Sequence, residues 1–163
     1  MPKTREVIYG ALLTALALLI PLAFGGYLGV FIPPFSATLA SHVPLFLSML
    51  VSPLAAFMVG AGSALGFLIK LGPIVGARAA THIIVGLAGA LLIRRGTSLP
   101  AVLAATAPLH GLSEALVVLP FGFPLSFALW VIGFGTLLHH TADSLITLAV
   151  ARLLPRRQLA THR

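Results

Sequence analysis

The groups best able to do chemistry in this chain are six histidines and three acids, and all of them except Glu6 and His162 sit inside apolar sequence. An ionisable side chain at membrane depth costs roughly 2.5–3.5 kcal/mol on insertion scales, so such a group marks a functional site by default. Two pairs stand one helical turn apart: His110 with Glu114, and His139 with Asp143. That spacing suits three chemistries. The two members can satisfy each other by hydrogen bonding within lipid, they can bind an organic ligand, or they can offer two ligands to one side of a cation. The chain holds no Ser/His/Asp order, no HExxH motif and no phosphate-cradling glycine loop, so nothing in it supports an enzyme. Cysteine is absent, which excludes disulfides, thiolate chemistry and cysteine-held metal.

The polar residues fall on helical faces. Thr136, His139, His140, Asp143, Ser144 and Thr147 recur at offsets 0, 3, 4, 7, 8 and 11, which is one face of a helix. Arg78, Thr81, His82, Gly86 and Gly89 form a second face; His110, Ser113 and Glu114 a third; Thr38, Ser41 and His42 a fourth. In lipid, each such face must turn toward other helices or a water-filled cavity.

These faces belong to a chain built for lipid. Of its 163 residues, 59% are hydrophobic and 8% charged, with a mean hydropathy of +1.10; ordinary soluble domains carry about 25% charged residues. A spanning helix needs about 20 apolar residues. The sequence therefore predicts an all-α integral membrane protein, one compact bundle of six transmembrane helices forming a single domain over residues 1–163. The segments read 7–24, 37–51, 54–70, 74–93, 99–119 and 125–154, punctuated by Gly25-Gly26, Pro33-Pro34, Pro53, Gly72-Pro73, Gly96 to Pro100 and Pro120 to Pro124. The second is short for a full span and suits a tilted or partly re-entrant helix. The first stretch is not read as a removable signal peptide.

Six spans place Lys3, Arg5, Arg94, Arg95, Arg152, Arg156, Arg157 and Arg163 on one side and only Lys70 and Arg78 on the other. Positive charge gathers on the cytoplasmic side, so both termini are expected there. The +7 charge is thus a topology signal, and no nucleic-acid partner is expected. Lys70 can snorkel to headgroups or face a ligand; Arg78, a turn inside its helix, is expected to face inward and contact an anion. By depth, the polar faces converge in the outer half of the bundle. Tyr27, Phe31, Phe35, Phe121, Phe123 and Trp130 read either as an interfacial belt or, for Tyr27, Phe31, Phe35 and Trp130, as a lid or stacking wall. The long first outer loop, from Gly25 to Thr38, reads as a gate. His162 lies in the polar tail and is expected to be inert.

Ala11 and Ala15 stand four apart in the first segment, a spacing that lets another helix approach closely in lipid. Gly60/Ala64, Gly62/Gly66 and Gly86/Ala90 share it, so internal packing is the competing reading. No nucleotide motif is present, and uphill transport would need ions or a partner.

Six spans, this length, cytoplasmic termini, a long first outer loop, the alanine motif and the stretch from Ile32 to Pro44 (IPPFSATLASHVP) together resemble the substrate-binding S component of energy-coupling factor vitamin transporters. The resemblance covers essentially the whole chain. It implies a bacterial plasma-membrane subunit that binds a small vitamin or precursor in an outer-half pocket capped by the first outer loop. It further implies docking on a transmembrane coupling protein through Ala11 and Ala15, with ATP used by two cytoplasmic ATPases and no cofactor or metal in this chain. Cobalt and nickel members begin with a Met-His segment; this chain begins Met-Pro-Lys-Thr, against that branch. The expected site residues are Arg78, His82, His42, His110, Glu114, His139 and Lys70, with Arg78 holding a carboxylate through charge-assisted bonds and a histidine bonding a ring nitrogen. Nicotinate fits. The alternatives are a self-sufficient proton-coupled carrier using Glu114, Asp143 and the histidines as relay, and a divalent-metal-binding membrane protein.

Overall fold

The computed structural model describes residues 4–33 and 35–154. Pro34, Lys3, Arg156, Arg157, His162 and Arg163, all invoked above, lie outside the described residues. Six helices account for most of the rest: α1 (Thr4–Leu28), α2 (Val43–Val51), α3 (Pro53–Leu71), α4 (Pro73–Arg94), α5 (Leu99–Val117) and α6 (Leu125–Leu153). Helix α6 passes through a π-helical stretch at Ala128–Gly133. Five of the six, all but α2, are long and apolar enough to cross a membrane.

The second segment departs from the expected limits. Its helix begins only at Val43, where Pro44 supplies a fixed φ in the first turn and needs no amide partner. Residues Phe35–Thr38 instead form strand β2, paired antiparallel with β1 (Gly29–Ile32) from Gly29 opposite Thr38 to Ile32 opposite Phe35. Val30, Phe31 and Ile32 are aromatic or β-branched and suit a strand. The expected outer loop is thus a short hairpin.

With nine residues at 1.5 Å each, α2 is about 14 Å long, half the hydrocarbon thickness. The crossing is nevertheless completed, as the helix directions show. In α1 and α3 the contacts advance together: Gly10 meets Ala55 and Met58, Thr14 meets Gly62, and Leu18 meets Gly66, so the two run parallel. Helices α3 and α4 are antiparallel, with Gly60 on Ile83 and Leu68 on Gly76. Helix α2 runs with α4, Leu45 on Gly86 and Met49 on Gly89. Helix α6 runs against α5, as His140 meets His110 and Thr136 meets Glu114. Helix α5 runs against α4, as Glu114 meets Arg78 and His110 meets His82, so the chain makes six passages of alternating direction, with the hairpin and residues 39–42 completing the second. Arg5, Arg94, Arg95 and Arg152 gather at one end, Lys70 and Arg78 at the other. The positive-inside rule makes the first end cytoplasmic.

Tight reversals permit this. Ser52 is extended, and its Oγ accepts the Ala55 amide (3.1 Å) to cap α3 just before Pro53. Gly72, at φ +89°, turns α3 directly into α4, a conformation that glycine adopts without a Cβ penalty. At Gly60 a Cβ would lie 2.7 Å from the Ile83 nitrogen, so only glycine lets α3 and α4 approach this closely.

Two apolar clusters bracket the polar residues. On the cytoplasmic side Leu45, Phe46, Met49, Val59, Val85, Val102 and Leu103 pack into a dry layer. Toward the outer end Phe35, Ala115, Val118, Ala128 and Ile132 form a second cluster.

Candidate functional site

Between these layers the polar faces of α4, α5 and α6 and the entry to α2 meet. Arg78, His82, His42, His110, Glu114, His140 and Asp143 are all buried. The centre is Glu114. Its Oε2 accepts from Arg78 Nε (3.0 Å), Arg78 Nη2 (2.7 Å) and Thr136 Oγ1 (2.7 Å). Its Oε1 faces His110 Nε2 at 3.4 Å and His82 Nε2 at 3.7 Å. Arg78 also stacks over the Phe35 ring, 5.2 Å from guanidinium carbon to centroid, and Nη2 lies 3.4 Å from the Ser36 carbonyl oxygen. The hairpin is thereby tied to α4 and α5.

Asp143 does the corresponding work on α6. Its Oδ1 accepts the Ala40 amide (2.6 Å) and its Oδ2 the His42 amide (2.9 Å). These bonds hold Ala40 at φ +68°, a left-handed conformation costing roughly 1–2 kcal/mol outside glycine. His139 Nε2 donates to the Thr38 carbonyl (2.9 Å) and lies 3.1 Å from Asp143 Oδ2. The five histidine rings pack closely; His42 is 4.8 Å from both His82 and His110, centroid to centroid, and 4.4 Å from His139.

Above this cluster lies a cavity of about 630 Å³. Arg78, His82, His42, Glu114 and His139 form its polar floor and wall, while Gly29, Val30, Phe31, Ser36 and Thr38 of the hairpin cover it. Pro21 and Gly25 of α1 and Phe67 and Leu71 of α3 close its sides. The cavity is at the outer end; the apolar layer around Phe46 and Met49 separates it from the cytoplasmic end.

Among the residues singled out by sequence, His110 lies beneath the floor, wholly buried, where its ring bridges Glu114 and His140. Phe31 lines the cavity, and Phe35 is buried under Arg78. Lys70, Tyr27 and Trp130 stand apart from it. Lys70 is exposed in the last turn of α3, where its cation complements the helix carbonyls. Tyr27 (89% exposed) and Trp130 (74% exposed) face away from the bundle, as an interfacial belt requires. Arg78 does face inward, but its charge is met by Glu114. Asp143, His140 and Thr136 were visible as stripe residues; their roles in holding the hairpin, His110 and Glu114 depend on contacts between helices. Two groups here have the composition of a cation site: His42, His82, His110 and Glu114; and His42, His139 and Asp143.

Ala11 and Ala15 are exposed on the outer face of α1. The face toward the bundle uses Gly10, Thr14 and Ala17 instead, so internal packing does not explain the alanine spacing.

The fold and the site define a multi-pass, all-helical membrane protein in which polar residues from four elements converge on one covered cavity at the outer end. The chain is similar to the niacin transporter NiaX of Lactococcus lactis subsp. cremoris (strain MG1363), with 39% identity over 94 residues, 57% of this chain. That match spans 41% of the relative's length. No family model and no solved structure matches.

Proposed function

We propose that this chain is the ligand-binding membrane subunit of an energy-coupling-factor-type importer, and that its cargo is a small planar carboxylate of the nicotinate kind. The observation that carries the reading is the outward cavity of about 630 Å³, polar at its floor and covered by the hairpin, in a relative of a niacin transporter. A volume of that size suits a small molecule. The apolar wall offers surface to a ring, Arg78 supplies charge-assisted donors to a carboxylate shared with Glu114, and His82 donates to a ring nitrogen. The dry cytoplasmic layer supports a subunit that binds from outside and releases inward only when its packing is rearranged by a partner. The exposed alanine face of α1 supports docking of that partner, a transmembrane coupling protein served by two ATPases.

Equilibrium binding of radiolabelled nicotinate to the purified protein tests the cargo. Saturable binding at one nicotinate per chain is expected, with at least a tenfold loss in Arg78→Ala; no saturable binding would refute this cargo. Coupling is tested by uptake in cells supplying the ATPase module. Replacing Ala11 and Ala15 by Trp is expected to abolish uptake while leaving nicotinate binding intact, and unchanged uptake would remove α1 as the docking face. Uptake by the purified chain alone under a pH gradient would favour a proton-coupled carrier.

A further inference from the structure

The floor of the cavity gathers more hydrogen-bond acceptors than the protein has protons to give them. The partners of each histidine fix its tautomer. His140 Nε2 lies 2.9 Å from the Leu103 carbonyl oxygen, which can only accept, so that nitrogen carries the proton. His140 Nδ1 then accepts from His110 Nδ1–H at 3.0 Å. The lone pair of His110 is thereby directed from Nε2, which is buried without a hydrogen-bond partner and lies 3.4 Å from Glu114 Oε1, itself an acceptor. On the other side, His42 Nδ1 lies 3.1 Å from Asp143 Oδ2, off the hydrogen-bond direction but close enough for the carboxylate to favour a proton there. His42 Nε2 is left as an acceptor, 3.1 Å from His82 Nε2. Four donor atoms converge, and at most the one on His82 has a proton to share.

We propose that His42, His82, His110 and Glu114 form a binding site for one late first-row divalent cation, of the zinc type. All four donor atoms lie within 4.8 Å of one another. Tetrahedral coordination at about 2.0–2.1 Å sets ligand–ligand edges of roughly 3.3–3.4 Å. The edges His42–His82, His110–Glu114 and His82–Glu114, at 3.1, 3.4 and 3.7 Å, bracket that value. Three imidazoles and a carboxylate suit such a cation better than they suit magnesium or calcium. The surroundings match the requirement that each ligand be oriented from behind: Asp143 backs His42, His140 backs His110, and Arg78 with Thr136 holds Glu114 Oε2 so that Oε1 faces the others. Charge points the same way. One guanidinium against two buried carboxylates leaves the cluster one negative charge with neutral imidazoles; a divalent cation reverses it to one positive, beneath a cavity to which an anion is assigned above. The site itself does not depend on that assignment.

The full chain, purified in detergent and stripped with EDTA, is titrated with Co²⁺ alone, without nicotinate, so the outcome is independent of the cargo. One Co²⁺ per chain with the intense visible bands of tetrahedral coordination is expected, displaced by Zn²⁺. His110→Gln and His82→Gln each weaken it at least about 100-fold and His140→Phe about 10–100-fold, while Thr141→Ala, on the exposed face of α6, leaves it unchanged. Thermal unfolding confirms that each variant is folded, and His82→Gln carries the test should His110→Gln not fold. Absence of the tetrahedral spectrum in the parent protein overturns the proposal. So does Co²⁺ binding that survives both His82→Gln and His110→Gln, which would move the ion to His42, His139 and Asp143.

Discussion

Arg78 and Glu114 bear the highest electrostatic stakes in the molecule. Both side chains are about 95% buried, and the pair closes at 2.7 Å. Removing one partner from such a pair leaves the other charge desolvated and costs about 3–5 kcal/mol, whereas replacing both costs much less. Glu114→Gln is therefore expected to lower the thermal unfolding temperature sharply in detergent. The double variant Arg78→Gln/Glu114→Gln should be destabilised by less than the sum of the two single changes; an additive double-mutant cycle would show that the pair is not coupled. The i,i+4 spacing of His110 and Glu114 was legible because a helix repeats every 3.6 residues. The partnership of Arg78 with Glu114 was not, because these residues lie 36 positions apart on different helices.

At the scale of elements, close approach rather than hydrophobicity holds the bundle together, because lipid is as apolar as leucine and gives helices no such incentive to associate. Gly60 and Gly76 bring α3 onto α4, and Gly111 brings α5 against the Gly133 carbonyl in α6. Gly60→Val is expected to destabilise by roughly 1–3 kcal/mol, the range for overpacking a filled core, because its Cβ would meet backbone, which cannot swing aside. Gly26→Ala, with open space around its Cβ, should unfold at the parent temperature. Equal unfolding temperatures for the two variants would disprove this packing account. Five of the predicted segments correspond to helices within a few residues, since long apolar runs bounded by glycine and proline leave few alternatives. The second does not. Short apolar sequence permits strand or helix alike, and here pairing with β1 and anchoring by Asp143 favour the strand for Phe35–Thr38.

For the whole molecule, the alternating directions make a concrete topology. The chain has no cysteine, so single cysteines can report it directly. A membrane-impermeant maleimide applied to intact cells should label Phe121→Cys, between α5 and α6, and spare Ser98→Cys, between α4 and α5, until the cells are opened. The reverse pattern would invert the protein and place the cavity on the cytoplasmic side. The packed layer of Leu45, Phe46, Met49, Val85 and Val102 implies that the cavity does not open at both ends of this conformation.

Class, number of crossings and orientation were decided by the sequence itself. Lipid sorts residues by hydropathy and basic charge regardless of how helices later pack, so composition and the positions of arginines carry that information without contacts. The polar faces were legible for the same reason, since each must turn inward. Which of those faces meet was decided only in three dimensions. Glu114 is fastened by Arg78 and Thr136 from two other helices, and His42 is positioned by an aspartate 101 residues away. Lys70 and Trp130, equally prominent as a string of letters, turn outward because a helix end and a membrane interface already satisfy them.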